Sequence, residues 1–207
     1  MSERRVTFKS EDLTLEGLLA TPANSTRGAV VCHPHPQSGG SMYNNVVEAV
    51  LDALWALGYA TLRFNFRGVG ESEGEFAGGV GEVLDAKAAV RFLAGQQGIG
   101  EGGMILAGYS FGATVGLRAG LELPEVGALI AVAPPIGVAD LSFIVGTDKR
   151  VILIAGDRDQ YCPAAELRAL HQKLAGPSAL KIIGGADHFF GGYEAKLASA
   201  IRSVLGA

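Results

Sequence analysis

Alternating strand and helix patterns predict an α/β protein with a mostly parallel sheet and helices on both faces. Three observations carry that prediction. Short, wholly apolar runs recur along the 207-residue chain, amphipathic stretches separate most of them, and no repeat, low-complexity segment or linker interrupts the alternation. A strand with one wet face would alternate apolar and polar residues, so uninterrupted apolar runs read as strands buried on both sides.

In chain order, Val6–Phe8 and Leu13–Ala20 read as opening antiparallel strands. Buried-type strands follow at Ala29–Cys32, Ala60–Phe66, Met104–Ala107, Ala128–Ala133, Val151–Ala155 and Ala179–Ile183. Between them, Val46, Val50, Ala53, Leu54 and Leu57 share one face at helical spacing. The same holds for Val83, Ala86, Val90 and Leu93, and again for Leu167, Leu170 and Leu174. Ala113–Leu121 reads as a further helix. Repeated strand, helix, strand units give a parallel sheet, and residues 1–207 are expected to form one domain. Ligands in such sheets bind beyond the carboxyl ends of the strands, which directs attention to the residues following each apolar run.

Composition excludes several classes of function. Thirty glycines and eight prolines fall short of the ~25–30% typical of disordered chains. A net charge of −4 without a basic run beyond Arg4-Arg5 speaks against nucleic acid as a partner. Cys32 and Cys162 are distant and unpatterned, so no disulfide framework or paired-cysteine metal site is expected. The charged first dozen residues leave no signal-peptide core, and the longest apolar stretch, Gly127 to Ala139, is interrupted by Pro134-Pro135 and too short to cross a bilayer. The expectation is a cytoplasmic protein without a membrane partner; homo-oligomerisation is left open.

Gly108-Tyr109-Ser110-Phe111-Gly112 follows an apolar run and precedes a helical stretch. A sharp strand-to-helix turn of this kind lifts a serine above the sheet, and the flanking glycines admit close backbone contacts. Gly70-Glu71-Ser72-Glu73-Gly74 has the same five-letter pattern. Its two glutamates would oppose a developing oxyanion and no helix starts after it, so Ser110 is the nucleophile candidate and Ser72 is not. Glu73 also breaks a dinucleotide-binding reading of Gly68–Gly74, which needs glycine there.

A serine nucleophile needs a histidine to take its proton and a carboxylate to orient that histidine. His188 follows a strand and comes after Ser110 with carboxylates between them, the chain order serine, acid, histidine. His171 lies in the amphipathic segment Glu166–Leu174 and reads as a solvated helix residue. Asp157 and Asp159 both follow the strand Val151–Ala155, and spacing leaves the choice between them open. Asp187 neighbours His188 too closely for their side chains to converge easily, and Asp140 follows another strand. In Cys32-His33-Pro34-His35-Pro36-Gln37, the prolines lack N–H groups, so His35 and Gln37 are the nearby candidates for a second oxyanion donor beside the N–H of Phe111. The spacing of Cys32, His33 and His35 does not match a zinc site.

Five ordered blocks then resemble the α/β-hydrolase superfamily, in particular small lidless serine hydrolases related to dienelactone hydrolase. These are His33-Pro34-His35-Pro36 with Gly39-Gly40, Arg63 to Ser72, Gly108–Gly112, Gly156 with Asp159 and Pro163, and Asp187-His188-Phe189. The resemblance covers almost the whole chain. It implies Ser110 as nucleophile, Asp159 as acid, His188 as base, and His35 with Phe111 as oxyanion donors, without cofactor or metal. It also makes Arg67 a structural residue. Serine stands where dienelactone hydrolases carry cysteine, which favours general esterase chemistry on a small-molecule ester. Thioester or amide hydrolysis, or a non-catalytic ligand-binding role, are the alternatives. The stretch from Ala133 to Val151 is too short for a helical cap, so small acyl groups are expected.

Overall fold

The computed structural model describes residues 2–23, 25–97, 99 and 101–206. Eight strands form one sheet: β1 (Arg4–Ser10), β2 (Leu13–Ala20), β3 (Gly28–Cys32), β4 (Ala60–Phe64), β5 (Met104–Tyr109), β6 (Val126–Val132), β7 (Arg150–Gly156) and β8 (Ser178–Ile183). Their order is β1-β2-β4-β3-β5-β6-β7-β8. β2 pairs antiparallel with β1 and β4, and the remaining pairs are parallel. Every expected strand is present, with ends moved by a few residues. β1 gains two residues at each end, and Asn65 and Phe66, expected within β4, lie beyond it and begin the next loop.

Five helices cover the sheet: α1 (Asn45–Ala56), α2 (Val80–Gln97), α3 (Phe111–Leu121), α4 (Ala164–His171) and α5 (Glu194–Leu205). The chain moves from β3 back to β4 through α1, then forward across β3 to β5 through α2. Right-handed crossovers therefore put α1 and α2 on opposite faces. α1 packs against α5, and α2 against α3. Asn44 caps α1 by accepting the N–H of Val46, while the expected face runs one residue too far, with Leu57 as the C-cap. Leu174 likewise lies beyond α4. α5 was not among the expected elements, although Leu197, Ile201 and Val204 give it a buried stripe at helical spacing.

The direction of the crossovers reverses between β3 and β5, where β4 and β6 lie to either side. The loops after β3 and β5 diverge from that point and leave a crevice at the carboxyl ends of the strands. Arg67, in the loop after β4, pairs with the fully buried Asp85 of α2 at 2.8 Å, and Ser10 of β1 donates to the same carboxylate at 2.7 Å. Arg67 therefore ties three elements together away from the crevice, in a structural role. Among the described residues, no helix is long and apolar enough to cross a membrane.

Candidate active site

Ser110 occupies the turn between β5 and α3 with φ +54° and ψ −120°. Few side-chain-bearing residues adopt that backbone, at a cost of about 1–3 kcal/mol, so the surrounding structure must hold it. It does so through close packing on both sides. A Cβ at Gly108 would collide with the backbone of Gly112, and one at Gly112 would collide with the carbonyls of Cys32 and His33. Ser110 N–H donates to Val132 O at 2.9 Å, tying the turn to β6.

His188, in the loop after β8, sits with Nε2 3.0 Å from Ser110 Oγ. Its Nδ1 lies 3.0 and 2.9 Å from the two oxygens of Asp159. Nδ1 is thus the N–H that donates to the carboxylate, which leaves Nε2 as an acceptor facing the serine hydroxyl. Asp159 Oδ1 also accepts the N–H groups of Tyr161 and Cys162, both at 2.9 Å, which fixes the carboxylate from its far side. Both Asp159 and His188 are buried, while Ser110 is partly exposed. A serine hydroxyl on an imidazole backed by a fixed carboxylate can pass its proton inward as it attacks.

Phe111 is the first residue of α3, so its N–H has no acceptor within the helix. His35 lies across the cleft from α3, its ring centroid 4.8 Å from that of Phe111. Gly40 N–H and Ser38 N–H both donate to His35 O, which turns that peptide back on itself. Gln37, the alternative donor, uses its N–H on His35 Nδ1 at 3.2 Å. His33 is fully buried, with Nδ1 2.7 Å from Pro34 O and Nε2 accepting Phe66 N–H at 3.1 Å. Both its ring nitrogens are engaged, and burial pushes the imidazole down to about 4.

Similarity to known proteins identifies the family. A family model described as serine aminopeptidase, S33 (Hydrolase_4) matches residues 27–151. An uncharacterized protein of Rickettsia prowazekii, RP471, is 34% identical over 210 residues, spanning 97% of this chain and 88% of its own. The chain is a member of this α/β-hydrolase family. An alpha-beta serine hydrolase homologue from Coxiella burnetii superposes with a TM-score of 0.91 at 32% identity, covering 99% of this chain and 98% of that one. XC6422 from Xanthomonas campestris, a serine hydrolase without a lid, gives 0.89 at 32% identity over 100% and 94%.

The remaining candidates in this hydrolase are engaged with other partners. Ser72 is buried, donating to Asn65 O at 2.7 Å and accepting Glu16 N–H at 3.1 Å. Asp157 accepts Gly185 N–H at 2.7 Å, Asp187 accepts Phe189 N–H, and Asp140 accepts from Ser142. His171 meets Ser178 at 3.2 Å on the surface. Sequence reasoning missed Tyr109, whose hydroxyl donates to His188 O at 2.9 Å and whose ring lies 5.4 Å from the imidazole. Burial raises its pKa, which keeps the hydroxyl a donor. It also missed the side chain of Phe111. Both occupy variable positions of the five-residue motif, where the pattern carries no signal.

Proposed function

We propose that the protein is a serine esterase that hydrolyses small, neutral carboxylic esters through an acyl-enzyme on Ser110. The observation that carries this reading is the 3.0 Å contact from Ser110 Oγ to the acceptor nitrogen of an imidazole held by Asp159. In the first half-reaction Ser110 Oγ attacks the carbonyl carbon and its proton passes to His188 Nε2. The N–H groups of Phe111 and His35 receive the oxyanion. As the tetrahedral centre collapses, His188 returns the proton to the departing alkoxide and the alcohol leaves. Water then repeats the sequence on the acyl-enzyme, freeing the acid and Ser110.

The walls of the cleft favour neutral substrates. Its described lining residues include Ser38, Asn44, Pro135, Val138, Tyr161 and Phe189, with no Asp, Glu, Lys or Arg among them. An aminopeptidase needs an anion for its substrate's terminal amine, so the family description fits this cleft less well than an ester does. Between β6 and β7 the chain forms only the short turn Ser142–Ile144, and an open cleft forgoes about 0.8 kcal/mol for every acyl methylene left in water. Short acyl groups follow from that.

A fluorophosphonate probe should label Ser110 alone, as read by peptide mapping. A panel of acyl p-nitrophenyl esters, thioesters and anilides should show kcat/KM highest on acetate to butyrate esters, falling by octanoate. Absence of labelling together with absence of turnover would leave a binding protein in place of an enzyme. Preference for anilides would move the reading to an amidase.

A further inference from the structure

Tyr43 apart, every large apolar side chain left exposed among the described residues lines one of two cavities. One is the catalytic cleft, of about 600 Å³, with Val138, Tyr161 and Phe189 on its rim. The other, of about 740 Å³, lies between α2 and α3; Val80, Val83, Leu84, Val115 and Phe143 give it an apolar wall, and Lys87, Arg118 and Glu122 also line it. No part of the mechanism uses it. The two cavities share Phe111 and Thr114, one helical turn apart on α3.

The Phe111 ring spans the boundary. On the cleft side it packs on His35 at 4.8 Å, and beneath it lie Phe66 and Phe76 at 6.0 and 5.8 Å. On the groove side its Cε2 would lie 3.6 Å from a Cβ at Gly79. The chemistry of the site fixes which part of an ester meets this ring. The departing oxygen takes its proton from His188 Nε2, so the leaving group lies toward His188, whose ring contacts are Tyr109, Tyr161 and Phe189. None of these is a ring partner of Phe111. The acyl chain therefore extends from the carbonyl toward Phe111 and Thr114.

Resting on the esterase reading above, we propose that the Phe111 side chain sets the acyl-length limit of this enzyme. Its ring closes the acyl end of the cleft, and the apolar groove behind it can hold an acyl tail once the ring is shortened. The backbone N–H of Phe111 serves the oxyanion, so one residue carries chemistry on its main chain and selectivity on its side chain.

The test is the ratio of kcat/KM on p-nitrophenyl octanoate to that on the acetate, measured in the unaltered enzyme, Phe111→Ala and Phe111→Leu. Each methylene brought out of water is worth a factor of about four, so partial burial of a longer chain should raise the ratio at least about tenfold in Phe111→Ala and less in Phe111→Leu. Adding Leu84→Asp to Phe111→Ala should take that gain back, because it puts a carboxylate in the apolar part of the groove wall, the polar lining being supplied by Lys87, Arg118 and Glu122. A ratio compares two substrates in one variant, so a general loss of rate does not obscure it. An unchanged ratio in either folded variant, or a gain that survives Leu84→Asp, overturns the proposal. Failure of both variants to fold would make Phe111 a core residue and overturn it equally. If the unaltered enzyme hydrolyses no ester, the acetate arm shows that the esterase reading has failed as well.

Discussion

The two Gly-x-Ser-x-Gly segments of this chain are a controlled comparison made within one molecule. At 108–112 the serine tops a strand-to-helix turn with a strained backbone and its hydroxyl on His188. At 70–74 the serine points inward, and its hydroxyl is consumed by the backbone of Asn65 and Glu16. Glu73 there binds the backbone N–H of Thr14, and Glu16 receives the N–H of Glu71. The same glycine spacing therefore serves as a reactive turn in one place and as a clasp on β2 in the other. What separates them is the element on either side of the motif, since only a buried strand feeding a helix can raise a hydroxyl above the sheet.

The largest effect that could break this contrast is on catalysis. Ser110→Ala should lower kcat by roughly 10³–10⁶ with the fold intact, while Ser72→Ala should leave kcat within a few-fold. Steady-state kinetics with circular dichroism on both variants checks it. A comparable loss in Ser72→Ala would mean that the buried hydroxyl takes part.

The carboxylates sharpen the comparison next. Asp159→Asn should cost about 10⁴ in kcat, because an amide facing Nδ1 no longer fixes the tautomer that leaves Nε2 free to accept. Asp157, two residues away, is exposed and accepts the N–H of Gly185, and Asp157→Asn should change kcat by no more than a few-fold. Reversal of that order would move the role to Asp157.

These carboxylates also show how far the sequence could be read. Strand positions were legible because short, wholly apolar runs such as Val151–Ala155 recur between amphipathic stretches, and Ser110 was legible because its motif sits between such a run and a helical stretch. Asp159 was not separable from Asp157 by spacing, since both follow one strand. The distinction lies in loop geometry, where the N–H groups of Tyr161 and Cys162 turn Asp159 inward. Tyr109 and the Phe111 side chain act through tertiary neighbours from the loop after β8 and from the loop after β4, which no local pattern encodes. α5 carried a readable stripe but has no strand after it, so the strand-helix-strand logic that located the other helices did not reach it.

A smaller effect concerns the loop after β3. His35→Pro removes the N–H that the proposed reaction assigns to the oxyanion and should cost about 10²–10³ in kcat, with circular dichroism to exclude a collapsed loop. His35→Ala keeps that N–H and should be the milder change, although it removes the ring that packs on Phe76 and Phe111. Equal losses in the two variants would give the imidazole itself a part in the reaction.

The last prediction tests the residue that joins the two motif regions. His33 accepts Phe66 N–H where the chain leaves β4 toward the Ser72 segment, and its carbonyl lies against Gly112 beneath the Ser110 turn. To accept that bond, Nε2 must stay unprotonated, and burial lowers the imidazole from 6.5 to about 4. Between those two values the unfolded chain binds a proton that the folded chain refuses. The stabilisation is therefore complete above pH 6.5, falls as pH drops toward 4, and levels off below, a total of about 3 kcal/mol. His33→Gln replaces the titrating ring with a neutral amide that can still donate and accept. Urea unfolding of both proteins across pH 7 to 4 should show the unaltered chain losing more stability over that window than the variant does. Parallel curves would mean that protonated His33 is tolerated, and the Ser110 turn and the Ser72 clasp would then be held together by packing alone.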